Sequence, residues 1–169
     1  MPLEMQDSVE LVEAVQESMG EIMPWMDWCT PKYDEMAAKG WISDLESRCE
    51  AGTQYAFSVR DSPNGMFLGV VGLNHINPTQ RIGNLGYWIR SSRTKQGIAT
   101  QASMIVAMFG LENLKLLRAE IVVAVGNKAS LRVAEKTGAR REGVLRNRLI
   151  VRDEVHNAVM HSLISEDFT

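Results

Sequence analysis

Cysteine is scarce in this chain: only Cys29 and Cys49 occur, with no CxxC spacing and no cluster of histidines nearby. That argues against a disulfide framework and against a structural zinc site, and it suits a reducing, cytoplasmic setting. No apolar run approaches the roughly 20 residues that span a bilayer, and the first residues lack the basic start and apolar core of a signal peptide. Basic runs are missing as well. At a formal net charge of -3, neither nucleic acid nor a membrane is expected as a partner. There is no G-x-x-x-x-G-K-[ST] and no G-x-G-x-x-G, which removes the P-loop nucleotidases and the Rossmann dinucleotide sites. Repeats, low-complexity segments and linkers are also absent. The 169 residues, 45% hydrophobic and 23% charged, fit one domain over 1–169 with a substantial core.

What is present is periodic. Over residues 7–22, Leu11, Val12, Val15, Met19 and Ile22 share one helical face, with Glu10, Glu13, Glu17 and Glu21 opposite. An aromatic loop follows at 23–29, closed by Pro31, and a second helix is predicted over about 32–49, stopping near Gly52. Alternating Tyr55, Phe57 and Val59 mark a strand over 54–60, and Asp61-Ser62-Pro63-Asn64-Gly65 marks a turn. Strands are read at 67–76 and 82–89, a helix at 97–113, a buried strand at 118–125 and a helix at 128–137 ended by Gly138. Two last strands, about 141–151 and 155–164, meet at Arg152-Asp153-Glu154. The order predicts an α/β fold around one mixed sheet.

The most informative stretch runs from Gly86 to Thr100. Gly86-Tyr87-Trp88-Ile89-Arg90 reads as a strand, Ser91-Ser92-Arg93-Thr94-Lys95 as a polar turn, and Gln96-Gly97-Ile98-Ala99-Thr100 as a helix start. Free N–H groups at a helix N-terminus bind phosphate oxygens, and Gly97 and Ala99 let the backbone come close. The bland alternative is a tight strand-to-helix turn. After the next strand comes Gly126-Asn127-Lys128-Ala129-Ser130-Leu131. Asn127 and Ser130 share a helical face, so both can reach one ligand; equally, Asn127 is a helix cap and Ser130 an exposed filler.

Seven segments occur in order: Glu17-Ser18, the 25–28 loop, Gly86-Tyr87-Trp88-Ile89, Gln96-Gly97-Ile98-Ala99, Asn127-Lys128-Ala129-Ser130, Glu135-Lys136-Thr137-Gly138 and Glu142-Gly143-Val144-Leu145-Arg146. Together they resemble the GNAT superfamily of acyl-CoA N-acetyltransferases, and within it the ribosomal-protein N-terminal acetyltransferases of the RimJ/RimL type. The resemblance implies a single domain with a mostly antiparallel mixed sheet and about four flanking helices. It also implies acetyl-CoA as co-substrate with no metal, and it allows a homodimer. The CoA pyrophosphate would rest on the backbone of Lys95, Gln96, Gly97, Ile98, Ala99 and Thr100. The pantetheine arm would pair like an extra strand along Ile89 and Arg90, Asn127 would bond the arm, and Ser130 would face the thioester sulfur. Two departures stand out. Thr94 occupies the first position of the family pattern Q/R-x-x-G-x-G/A, which weakens one side-chain contact. Only residues 1–6 precede the first helix, so the edge strand that opens the family fold is expected to be short or missing.

Acetyl transfer from a thioester to an amine needs a neutral amine, a donor for the developing oxyanion, and a proton or hydrogen bond for the departing thiolate. The backbone N–H of Ile89 or its neighbour is the expected oxyanion donor. Ser130 is the candidate at the thiolate, because the tyrosine that many GNAT enzymes use seven positions after the Asn is Ala134 here. Among bases, His75 has a suitable pKa range on a central strand. Glu13 and Glu17 either face the acceptor or form the solvated side of their helix. Glu142 and His156 are further candidates, and Asn157 stands where relatives often carry Asp. By resemblance, Trp28 and Tyr87 also belong to the acceptor side. Trp28 with Asp27 would offer an ammonium cation–π contact and charge, while Trp25, Trp41 and Trp88 are assigned to packing.

The weak signal for a base bears on the acceptor. Roughly a tenth of an α-amine is neutral at pH 7, against well under 0.1% of a lysine amine, a gap of about 3 kcal/mol. The expectation is therefore direct acetylation, in a ternary complex, of the N-terminal α-amine of a protein of the ribosomal kind. A small amine (polyamine, amino acid or antibiotic) and a non-catalytic acyl-CoA-binding module are the alternatives.

Overall fold

A computed structural model describes residues 1–62 and 64–168; Pro63, within the expected 61–65 turn, lies outside them. The elements are α1 Ser8–Glu17, α2 Met19–Ile22, α3 Glu35–Glu50, β1 Tyr55–Arg60, β2 Phe67–Asn77, β3 Ile82–Ile89, α4 Ile98–Glu112, β4 Arg118–Ala124, α5 Lys128–Lys136, β5 Arg140–Val151 and β6 Glu154–Leu163. The helix expected over 7–22 is broken at Ser18, whose backbone leaves helical geometry (φ -103°, ψ 7°). Its buried hydroxyl is spent outside the helix, accepting from the N–H of Ser91 at 2.9 Å. The single turn α2 that follows is one of five α-helices among the described residues, in keeping with the expected count of about four.

Local chemistry sets the other boundaries. Asp34 caps α3, its Oδ1 accepting from Ala37 N–H at 2.9 Å. The first strand of the family fold is reduced to one bridge, Pro2 to Phe57. Glu4 and Asp7 stop it there: the Glu4 N–H donates to Asp7 Oδ2 at 3.0 Å and the chain turns into a short 3-10 helix. Arg60 then ties that turn to α1, reaching Asp7 at 2.6 Å and Glu10 at 2.7 Å.

The sheet runs in the order β1-β2-β3-β4-β6-β5. All pairings are antiparallel except β3 with β4. Strand alternation sends side chains to two cores. Val70 and Trp88 join Leu11 and Val15 of α1 and Ile42 and Leu45 of α3 in one; Val71, Leu73, Leu85, Ile121 and Leu163 join Val106 of α4 in the other. Among the described residues no helix is long and apolar enough to cross a membrane.

His161, on β6 opposite Ile121, is fully buried, and neither ring nitrogen finds a hydrogen-bond partner among the described residues. Burial, helped by the Arg141 charge and opposed by Glu135, holds its pKa below the ordinary histidine value. The unfolded chain therefore takes up a proton that the folded chain refuses. This group's contribution to stability is fully present above about pH 6.5 and is lost as the pH falls from there through the lower pKa of the folded state. His161→Leu is expected to flatten the fall in Tm between about pH 7.5 and 5.5, measured by thermal melts against the parent chain.

Candidate active site

β3 and β4 lie side by side only where they begin. Ile82, Gly83 and Asn84 pair with Arg118, Ala119 and Glu120, after which the strands part, β3 continuing to Ile89 and β4 to Ala124. A gap opens between them. On the far side of β3, the Arg90 N–H donates to Leu68 O at 2.7 Å. N–H groups alternate sides along an antiparallel strand, so the Ile89 N–H faces the gap. Ile89, the expected oxyanion donor, is therefore open, while its neighbour Arg90 is committed to β2.

Beyond the strand the chain makes a 3-10 turn over Ser91–Arg93. It then passes through left-handed backbone at Lys95 (φ 63°) and Gly97 (φ 81°) before α4 begins. The first intrahelical bond is Gln101 N–H to Gly97 O at 3.0 Å. The N–H groups from Lys95 to Thr100 have no acceptor among the described residues, and the dipole of α4 stands behind them. This run suits a pair of phosphates.

α1 and α2 hold that turn in place. Ser18 Oγ accepts from Ser91 N–H at 2.9 Å, Glu21 Oε2 accepts from Ser91 Oγ at 2.7 Å, and Glu17 Oε1 accepts from Ser92 N–H at 3.0 Å. The bonds from Ser92, with the nearby Arg90 charge, keep the Glu17 carboxyl below its usual range. Glu17, expected at the acceptor, is instead an anchor of the phosphate turn. The whole Ser18–Glu21–Ser91–Ser92 clamp escaped the sequence reading; its one visible trace was the Glu17-Ser18 pair. Glu13 stays on the exposed side of α1.

Across the gap stands the start of α5. Asn127 Oδ1 accepts from Ser130 N–H at 3.1 Å, so the cap is real, yet its amide N–H groups remain open to a ligand. Ser130 Oγ lies 3.0 Å from the Tyr87 hydroxyl, which also donates to Ser130 O at 3.0 Å. Burial pushes the Tyr87 phenol up to about 12, against the opposing pull of its Ser130 bond, so it keeps its proton. Tyr87, expected on the acceptor side, packs its ring toward α4 and α5 and also lines, between Gly86 and Trp88, the cavity on the α1 and α3 face. Alternation along β3 requires this: Gly86 and Trp88 face α1 and α3, while Leu85 and Tyr87 face α4 and α5.

The remaining candidate bases are not brought to this gap. His75 is exposed on a bulge of β2 (φ 49°). It sits near Gly83, roughly 20 Å along the sheet from Ile89. Glu142 is held by Arg118 at 2.8 Å and 3.0 Å and by Ser162 at 2.7 Å, which depresses its carboxyl pKa. His156 is 3.9 Å from Glu154 near the β5–β6 turn. Among the described residues no group of His, Cys, Asp and Glu could hold a metal ion.

On the α1 and α3 face, against Gly86 and Trp88, lies a cavity of about 410 Å³. Trp28 lines it, 43% exposed and tilted against Tyr33 and Trp88. Asp27 is turned away, its carboxylate accepting from Arg152 N–H. The Arg152 side chain also donates to Met23 O at 3.0 Å and Cys29 O at 2.6 Å, fastening the aromatic loop to the β5–β6 turn. Trp25, expected to fill the gap between the two early helices, packs against Gly126, its ring 3.2 Å from where a Cβ would stand there. Trp41 and Trp88, given to packing alone, both line the cavity.

The chain is similar to known acetyltransferases. The model of the acetyltransferase (GNAT) domain matches residues 2–140. YdaF of Bacillus subtilis (strain 168), a provisionally named ribosomal N-acetyltransferase, is 28% identical over 174 residues, covering 98% of this chain and 90% of that protein. The ribosomal-protein-serine acetyltransferase of Escherichia coli (strain K12) is 29% identical over 97 residues, 57% of this chain and 54% of that one. Among solved structures, Mycobacterium smegmatis RimJ in complex with CoA-disulfide shares the fold, with a TM-score of 0.88 at 23% identity over 98% of this chain and 81% of that chain.

Proposed function

Since this chain belongs to the GNAT acetyltransferase family, we propose that it transfers the acetyl group of acetyl-CoA to the N-terminal α-amine of a protein, by direct attack in a ternary complex. The observation that carries this reading is the parting of β3 and β4. It opens one gap between the N–H-rich turn on the α4 side and the aromatic cavity on the α1 and α3 side. The residues present fit CoA: the left-handed Gly97 and the unpaired N–H groups of 95–100 suit its pyrophosphate, and the open edge of β3 suits an extended amide chain. Bound acetyl-CoA would supply the activated acyl group.

The chain's own part follows from its donors. The Ile89 N–H would hold the acetyl oxygen, which needs a donor most when negative charge gathers on it. Ser130 Oγ, whose hydrogen rests on the Tyr87 oxygen while Tyr87 donates to Ser130 O, would turn that hydrogen to the departing sulfur. No free carboxylate or imidazole stands at the gap among the described residues, which favours an acceptor partly neutral at pH 7, an α-amine over a lysine. Relatives named as ribosomal-protein acetyltransferases support a protein acceptor.

Free-thiol release from acetyl-CoA tests this reading, with peptides of free N-terminus run beside spermidine, free lysine and amino-bearing antibiotics. Release with peptides alone is the expected result; release with a small amine alone would overturn the acceptor. Glu17→Ala, which removes the Ser92 bond of the turn clamp and the 3.3 Å ion pair with Arg90, together worth about 1 kcal/mol, is expected to weaken acetyl-CoA binding roughly fivefold by calorimetry.

A further inference from the structure

The cavity beside β3 has a chemical character that narrows the acceptor, and this inference rests on the N-terminal reading above. Its floor is a row of small residues in register across three strands, Ala56 on β1, Gly72 on β2 and Gly86 on β3. Side chains that would fill this space are absent, and at Gly72 none fits: a Cβ there would meet Tyr55 O at 2.4 Å. The walls are aromatic, with Trp28, Trp41 and Trp88 around the floor. None of the residues lining the cavity is charged; its polar side chains are amides and phenols such as Gln54 and Asn74. Asn74 is already engaged, accepting from Asn84 at 2.9 Å.

Size and charge decide what fits. At about 410 Å³ the space lies in the range of ligand pockets and far exceeds a methyl or hydroxymethyl group. A second ammonium, a guanidinium or a carboxylate would lose its water with no counter-ion in reach, since Asp27 is held by Arg152. We propose that this cavity receives the side chain of the acceptor's first residue, and that this side chain is large and uncharged: aliphatic, thioether or aromatic. The α-amine, on the same carbon that bears this side chain, then lies at Gly86–Trp88, next to the open edge of β3. Acceptors beginning with Ser or Ala leave the cavity unfilled, and polyamines or peptides beginning with Lys or Asp are rejected by it.

The test compares peptides that differ only at their first residue, Leu, Met and Phe against Ser, Ala, Lys and Asp, by kcat/KM for thiol release. Large apolar first residues are expected to exceed Ala by about tenfold or more. Ala37→Phe places bulk at the cavity rim from an exposed position outside the core; it is expected to bring the ratio of Leu- to Ala-starting peptides close to one. Equal rates, or a preference for Ser, Ala or a charged residue, would overturn the inference while leaving N-terminal acetylation standing. If no peptide is acetylated, the N-terminal reading fails by itself, and the cavity is judged by binding. Saturable quenching of tryptophan fluorescence by leucinamide and 2-phenylethylamine, weakened in Ala37→Phe, would uphold an apolar amine site. Absence of quenching would end it.

Discussion

Replacing Gly97 by Leu is expected to abolish acetyl-CoA binding while the chain stays folded. Gly97 sits at φ 81°, where a Cβ costs on the order of 1–2 kcal/mol. Nothing in the protein would touch that Cβ, since no atom lies within 4 Å of it. The damage would therefore come from two sources. The backbone would leave the left-handed region and turn its N–H groups away from their common focus, and the leucine side chain would stand where phosphate oxygens approach. Calorimetric titration with acetyl-CoA should show no heat of binding for Gly97→Leu and weakened binding for Gly97→Ala. Because the position is exposed, a thermal melt should remain cooperative with a modest loss. Unchanged affinity in the Leu variant would remove the turn from the binding site.

Ser130→Ala should separate binding from turnover. The hydroxyl is 3.0 Å from the Tyr87 hydroxyl and sits at the mouth of the gap on the first turn of α5. Its loss removes the hydrogen bond proposed for the departing sulfur, an effect on the order of a hundredfold in kcat. The Asn127 cap uses the Ser130 backbone N–H and survives the change, so acetyl-CoA affinity should move by no more than about twofold. Tyr87→Phe is expected to lower kcat less than Ser130→Ala does, since it frees the serine rotamer without removing the hydroxyl. Equal losses in affinity and turnover for Ser130→Ala would contradict its assigned place.

The contrast between what was legible and what was not has a physical origin. Strand and helix periods are local, so β3 could be read residue for residue, and the Gly97 turn could be recognised from small residues at a helix start. Asn127 was legible as cap and as ligand group because both readings rest on the same first turn of α5. Contacts between distant segments were not. Glu17 and Glu13 look alike on the polar stripe of α1, and only the approach of Ser92, far along the chain, makes Glu17 an anchor. Tyr87 and Trp88 are neighbours in sequence, and which one meets the acceptor depends on which sheet face carries α1 and α3. The small-residue row Ala56, Gly72 and Gly86 exists only in the register of three strands. His75 was drawn in by its side chain's titration range, whereas a bulge at β2 places it near the opposite end of β3 from Ile89.

The proposed function turns on one chemical point, an acceptor amine that needs little help to lose its proton. The most direct test uses one peptide carrying both a free N-terminus and an internal lysine, incubated with acetyl-CoA and the protein, with fragment mass spectrometry locating the acetyl group. Acetyl on the α-amine, with lysine unmodified at neutral pH, is the expected result. Acetyl on the lysine Nζ would mean that a base operates at the gap between β3 and β4, and would contradict the account.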